Sequence, residues 1–198
     1  IGMPIEYRYG SVFDAEHEVQ TLVNTVNTNG VMGKGLALEF KKRYPEIFRD
    51  YRVRCERGEV RVGEPYLYVS QRPWVLNFPT KKHWRNKSRL EWIAQGLKYF
   101  VCNYKQWGIT SIAFPQLGTL NGGLQWEEVR PIMEKFLGNL DIPVIIYIYA
   151  PRGQKGSQGN GKPAQQERAR VHSNAATTQG ILPLEYNAGR NTASTVGQ

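Results

Sequence analysis

Cysteine is nearly absent, with only Cys55 and Cys102 among 198 residues. Two thiols without a C-x-x-C or Cys/His spacing build neither a disulfide framework nor a structural zinc site. The expectation is a reducing, cytoplasmic setting. Long apolar runs are missing too. A membrane span needs roughly 20 successive apolar residues, and nothing here approaches that, so no membrane association is expected. The opening Ile1-Gly2-Met3-Pro4 lacks the charged and apolar regions of a secretory leader. Histidine is sparse: His17, His83 and His172 are scattered and no acidic cluster accompanies them. No metal and no cofactor are therefore expected. Acidic residues are outnumbered, with 17 Asp and Glu against 26 Lys and Arg and a net charge of +9. Such a charge draws a molecule towards polyanions through a salt-sensitive field, and it bears on partners rather than on fold.

Apolar patterning thins out abruptly after Pro151. Residues 151–198 are dominated by Gly, Ser, Gln, Asn, Ala and Thr, and carry a net charge of +4, which leaves +5 for the rest of the chain. Only Ile181-Leu182-Pro183-Leu184-Glu185-Tyr186 resembles something that packs. A segment this poor in apolar surface does not offset its own ordering entropy. The expected division is one folded domain over residues 1–150 and a low-complexity basic tail or linker over 151–198.

Within the first part, strand and helix signals alternate. Strands are expected at Ile5 to Tyr9, Thr21 to Val26, Tyr66 to Val69, Trp74 to Phe78, Ile109 to Phe114 and Val144 to Tyr149. Helices are expected from Gly35 to Arg43, from Pro45 to about Glu56, and from Trp126 to Leu137. The clearest helix starts near Ser88: Leu90, Ile93, Leu97, Val101 and Tyr104 recur at helical spacing, with Ser88 as N-cap and Gly108 as stop. The near-continuous apolar run at Val144 is what a sheet covered on both faces requires. Together these define an α/β, three-layer α/β/α domain with a mixed, mostly parallel central sheet.

Ligands in such sheets bind where loops leave the carboxyl ends of strands. The first such loop is Asn24-Thr25-Val26-Asn27-Thr28-Asn29-Gly30-Val31-Met32-Gly33-Lys34-Gly35. Its glycines let backbone N–H groups approach a phosphate, and the helix that follows adds a partial positive charge. It is not a P-loop, because Lys34 is followed by Gly35 rather than Ser or Thr and Thr28 stands where the first glycine belongs. Its asparagines suit sugar hydroxyls. The second loop runs from Pro115 through Leu117-Gly118-Thr119-Leu120-Asn121-Gly122-Gly123 to Trp126, and forms a second candidate nest of backbone donors. The third segment, Thr80-Lys81-Lys82-His83-Trp84-Arg85-Asn86-Lys87-Ser88-Arg89, sets an aromatic ring among six cationic or imidazole groups. A run of this kind is either a solvated face or a grip for single-stranded nucleic acid through stacking and phosphate contact. A lysine crowded by cations also has a lowered pKa, which makes it usable as nucleophile or base.

These three segments together resemble the macrodomain family, and within it the DarG antitoxin macrodomains and the terminal ADP-ribose glycohydrolase. The strings that carry the resemblance are Leu22-Val23-Asn24-Thr25-Val26-Asn27 with Gly30-Val31-Met32-Gly33-Lys34-Gly35, Asn77-Phe78-Pro79-Thr80-Lys81-Lys82-His83-Trp84-Arg85, and Pro115-Gln116-Leu117-Gly118 with Asn121-Gly122-Gly123-Leu124 and Trp126. The resemblance implies an ADP-ribose cleft contacted by Asn24, Asn27, Gly30, Val31, Met32, Gly33, Gly35, Thr80, Leu117, Gly118, Thr119, Leu120, Asn121, Gly122 and Gly123. It implies that Lys81 acts at the anomeric carbon of the distal ribose, and the basic string Lys82, His83, Trp84 and Arg85 is expected to contact nucleic acid. Two departures stand out. The glycohydrolase has an aspartate where this chain has Gly122. Macrodomains commonly follow the first strand with G-D-[IL], the Asp meeting the adenine amino group, whereas this chain has Gly10-Ser11-Val12, with Asp14 near enough to substitute.

The leading reading is an ADP-ribosyl glycohydrolase that removes ADP-ribose from thymidine in single-stranded DNA. It would be a monomeric antitoxin to a DarT-like DNA ADP-ribosyltransferase, with ADP-ribose and ADP-ribosylated DNA as partners. Its rivals are a hydrolase of ADP-ribosylated glutamate or aspartate in protein, an ADP-ribose 1″-phosphate phosphatase, and an ADP-ribose-binding module without turnover.

Overall fold

The computed structural model describes residues 2–149, so the expected tail lies outside the described residues. Six strands form one sheet: β1 (Glu6–Tyr9), β2 (Thr21–Asn27), β3 (Tyr66–Tyr68), β4 (Trp74–Lys81), β5 (Ile112–Pro115) and β6 (Val144–Ile148). Four helices accompany them, α1 (Gly35–Arg43), α2 (Pro45–Glu56), α3 (Leu90–Asn103) and α4 (Trp126–Leu137), with a short 3-10 turn at Val12–Ala15. The strand order is β1-β6-β5-β2-β4-β3. Every neighbouring pair is parallel except β3 against β4.

Alternation along the strands explains the three layers. Val23, Leu76, Phe78, Ile112, Phe114 and Ile146 point to one face, where Ile93, Leu97 and Phe100 of α3 and Val129, Met133 and Leu137 of α4 close over them. Their neighbours Leu22, Val75, Ala113, Ile145 and Tyr147 point to the other face and pack with Val12, Phe13, Phe40 and Ile47. A period of two on a sheet buried on both sides calls for apolar residues at successive strand positions, as in the central runs of β2, β4, β5 and β6. Gly96 of α3 is set by this packing, since a Cβ there would lie 2.4 Å from the Phe78 ring.

Several boundaries differ from the sequence expectation, most by a single residue. The strand at Ile109 begins later, at Ile112. Helix α3 begins at Leu90 with Arg89 at the cap and no side-chain cap bond. Ser88 does not cap it: the residue at the cap is Arg89, and the buried Ser88 hydroxyl has no hydrogen-bond partner among the described residues, while the Ser88 backbone N–H donates to the Gly122 carbonyl at 2.9 Å. Strand β4 does not stop at Phe78 but continues through Pro79 and Thr80 to Lys81. A proline is tolerated there because β3 pairs only with Val75 to Asn77, so Pro79 has a strand neighbour on one side alone and its missing N–H breaks no ladder.

Candidate active site

Because five strands are parallel, the loops after β1, β2, β4 and β5 all leave from one rim of the sheet, where the three segments meet. β2 and β4 pair in register up to Val26 and Pro79, and then Asn27 stands opposite Lys81, so Thr80 is an extra residue on β4. A bulge re-aims the side chain that follows it. The basic string thus starts on a strand end, with Lys81 beside Asn27.

Asn27 organises the first loop. Its Nδ2 donates to the Val31 carbonyl at 2.7 Å, and its Oδ1 accepts from the N–H groups of Asn29 and Val31. Burial holds the Tyr51 phenol far above its ordinary pKa, so it stays protonated, and it donates to Asn27 Oδ1. Gly30 takes a positive φ of 83° and Gly35 one of 52°. Met32 is buried with Val26, Tyr51 and Val60, and Val31 and Gly33 lie at the surface. No backbone carbonyl among the described residues takes the N–H groups of Met32 or Gly33. Asn24 is fully buried and its Nδ2 donates to Asn77 Oδ1 on β4 at 3.1 Å, so its amide faces the neighbouring strand.

The second loop is closed on itself, with Leu124 N–H donating to the Gly118 carbonyl at 3.0 Å and Gly123 N–H to that of Thr119 at 3.2 Å. The Thr119 hydroxyl donates to the Gln116 carbonyl. Leu117 is anchored in the core while Leu120 stands 65% exposed. Among the described residues, the N–H groups of Gly118, Leu120, Asn121 and Gly122 have no backbone acceptor. Backbone N–H groups left free in this way are the kind of donor that an anion can use. Gly35 brings the loops together, since a Cβ there would lie 2.9 Å from Asn121 Nδ2. Gly122 has no room at all: a Cβ would lie 2.3 Å from the Gly118 carbonyl oxygen and 2.5 Å from the Ser88 hydroxyl. The aspartate of the terminal glycohydrolase has no place on this backbone.

Lys81 joins the three segments. Its side chain is buried and its Nζ donates to the Trp84 carbonyl at 2.9 Å and to the Asn121 carbonyl at 3.1 Å. Burial first, and then the charge of Lys34, hold its ammonium below the usual lysine range. As a neutral amine Lys81 has two hydrogens for the two carbonyls and a lone pair left over; as an ammonium it has one more donor. Its main chain is held as well, since Thr28 N–H donates to the Lys81 carbonyl and the Thr28 hydroxyl to that of Lys82.

The aromatic and cationic groups of the third segment pack on one another. His83 and Trp84 stack at 5.5 Å, Arg85 lies 4.6 Å from the Trp84 ring centroid, and Trp84 is 40% exposed. After β1, Ser11 caps the 3-10 turn, and Asp14, which is exposed, accepts from the Ser11 N–H at 2.9 Å. Tyr51 and the charge of Lys34 carry no signal in the sequence, because each acts through contacts distant in the chain.

A six-stranded mixed sheet with helices on both faces and two glycine-rich loops on one rim is the architecture of a macrodomain. The chain belongs to the macrodomain family, whose Macro domain model matches residues 23–133. It is 46% identical over 140 residues to the DNA ADP-ribosyl glycohydrolase of Thermus aquaticus, a match covering 69% of this chain and 39% of that protein. It also resembles the solved macrodomain of Thermus aquaticus DarG, with TM-score 0.68 and 43% identity over 74% of this chain and 99% of that one. The Thermosipho africanus DarTG structure in complex with ADP-ribose matches with TM-score 0.70 and 39% identity, over 76% of this chain and 43% of that one. The chain thus spans about two fifths of the length of the DNA ADP-ribosyl glycohydrolases it matches. No helix among the described residues is long and apolar enough to cross a membrane, and no three His, Cys, Asp or Glu side chains there gather as a metal site.

Proposed function

We propose that this macrodomain binds ADP-ribose and hydrolyses it from modified thymidine in single-stranded DNA, so reversing the action of a DarT-like DNA ADP-ribosyltransferase as its antitoxin. The observation that carries the reading is Lys81, buried at the seam of three loops with its Nζ on the Trp84 and Asn121 carbonyls. The two glycine loops hold the diphosphate through backbone N–H groups, Asn27 fixes the loop around the distal ribose, and Lys81 faces the anomeric carbon. Hydrolysis there passes through an oxocarbenium-like state, and preorganised groups lower its energy without reorganising during the reaction. Water adds at the anomeric carbon, the glycosidic bond breaks, and the nucleobase leaves with a proton. The basic string Lys82 to Arg85 receives the DNA strand. The name of the Thermus aquaticus relative, DNA ADP-ribosyl glycohydrolase, supports the substrate. The protein works in the cytoplasm, as a monomer, without cofactor or metal.

Release of ADP-ribose from a thymidine-ADP-ribosylated single-stranded oligonucleotide tests this, run beside an ADP-ribosylated glutamate protein and with Lys81→Ala as control. Release from the oligonucleotide that is lost in Lys81→Ala is expected. Release from the protein alone would assign a carboxylate hydrolase, and tight ADP-ribose binding without release would assign a binding module.

A further inference from the structure

We propose that Trp92, with Lys82 and Arg89 over its ring, is a second base-stacking platform that grips the single strand flanking the modified nucleotide. The proposal rests on the DNA reading above and adds residues outside the string that suggested it. Lys82 Nζ lies 5.8 Å and the Arg89 guanidinium 5.1 Å from the Trp92 ring centroid. The arrangement repeats that of Trp84 with His83 and Arg85.

Neither tryptophan belongs to any of the three apolar clusters, whereas Trp107 and Trp126 pack against the largest. Trp84 is 40% exposed and Trp92 is partly buried; an indole outside the core clusters with cations over its ring is placed to stack on a ligand as much as to support the fold. Between Lys81 and Trp92 the only acidic residue is Glu91. Among the described residues, Lys82, Arg85, Lys87 and Arg89 enter no ion pair. Unpaired cations beside flat rings are what single-stranded nucleic acid needs, since the cations move onto phosphates and the freed ring faces take bases. A duplex keeps its bases stacked on each other and cannot use the rings. Lys82 links this platform to the chemistry, because it follows Lys81 in the chain and its carbonyl is held by the Thr28 hydroxyl.

The test uses the full chain, a dye-labelled unmodified single-stranded oligonucleotide, heparin as a polyanion without bases, and ADP-ribose. Trp92→Leu is expected to weaken the oligonucleotide about tenfold, near the lower end of what one stacked base contributes, and to leave heparin and ADP-ribose affinities unchanged. Arg89→Gln is expected to weaken oligonucleotide and heparin alike and to lower the salt slope by about one. Retained ADP-ribose binding shows that each variant is folded. Unchanged oligonucleotide affinity in Trp92→Leu, an equal loss for heparin, or duplex binding as tight as single-strand binding would overturn the platform. If the wild type failed to release ADP-ribose from DNA while oligonucleotide binding stayed Trp92-dependent, the hydrolase reading would fall and this one stand. If it turned over a modified thymidine nucleoside and a modified oligonucleotide with the same KM, the reverse would hold.

Discussion

Tyr51 holds Asn27 from α2, its hydroxyl 2.7 Å from the Asn27 Oδ1 and 2.9 Å from the Asn27 carbonyl oxygen. Both partners are buried, so the bond shapes the first loop without touching solvent. Tyr51→Phe removes the donor and leaves two buried oxygens with one fewer partner, a loss of roughly 1–3 kcal/mol. The expected outcome is a lower Tm together with weaker ADP-ribose binding, measured by thermal unfolding and calorimetry. Lower stability with unchanged ADP-ribose affinity would show that the bond does not shape the ligand loop.

Lys81→Ala is expected to abolish turnover yet leave ADP-ribose binding largely intact, and near wild-type turnover would remove Lys81 from the chemistry. The pH profile adds direction. Burial and Lys34 lower the Lys81 pKa, so the neutral amine becomes populated at lower pH than in free lysine. If the neutral form acts, kcat rises with pH along a limb below the free-lysine value, and Lys34→Gln, which removes a like charge, moves that limb to higher pH. A kcat that falls as pH rises through the same range would assign the work to the ammonium.

Gly122→Asp would test whether the two-residue arrangement of the terminal glycohydrolase can be installed. The side chain would meet the Gly118 carbonyl oxygen and the Ser88 hydroxyl inside contact distance, so the loop must move. Displacing backbone donors from a ligand removes charge-assisted hydrogen bonds worth roughly 1.5–3 kcal/mol each. ADP-ribose affinity is expected to fall tenfold or more, with no gain in turnover. A faster enzyme would show that the loop adapts.

Asn77→Leu separates framework from contact. It leaves the Asn24 amide N–H buried without the Asn77 acceptor, at a cost of roughly 1–3 kcal/mol. Chemical denaturation is expected to show that loss while folded molecules bind ADP-ribose much as before. A collapse of ligand affinity would instead place the Asn24–Asn77 pair at the ligand.

Much of this was legible in the residues. The β-branched run at Thr21 to Val26, the 3–4 spacing from Leu90 to Tyr104 and the Val144 run became β2, α3 and β6, because strong periodicity is itself the record of which face is buried. The boundaries that failed were decided elsewhere. Pro79 reads as a strand breaker until the shortness of β3 is known. Ser88 reads as a cap, yet the chain sets Arg89 at the cap position and leaves the Ser88 hydroxyl buried without a partner. The motif at Thr80 and Lys81 named a lysine, but its two carbonyl partners come from three and 40 positions away, and the Tyr51–Asn27 pairing spans 24. No local pattern encodes such contacts.

The pairing of β1 with β6 bears on how the domain can be joined to others. The two strands run parallel, Glu6 beside Ile145 and Tyr9 beside Ile148, so the chain enters the body at the rim opposite the cleft and leaves it at the rim that carries the cleft. A module attached ahead of β1 is tethered on the far side from the ligand. One attached beyond β6 starts next to it, as near as Tyr149, whose N–H already bonds Gln116 at the root of the second loop. Domain order in a fusion therefore decides which neighbour shares the reaction's doorstep.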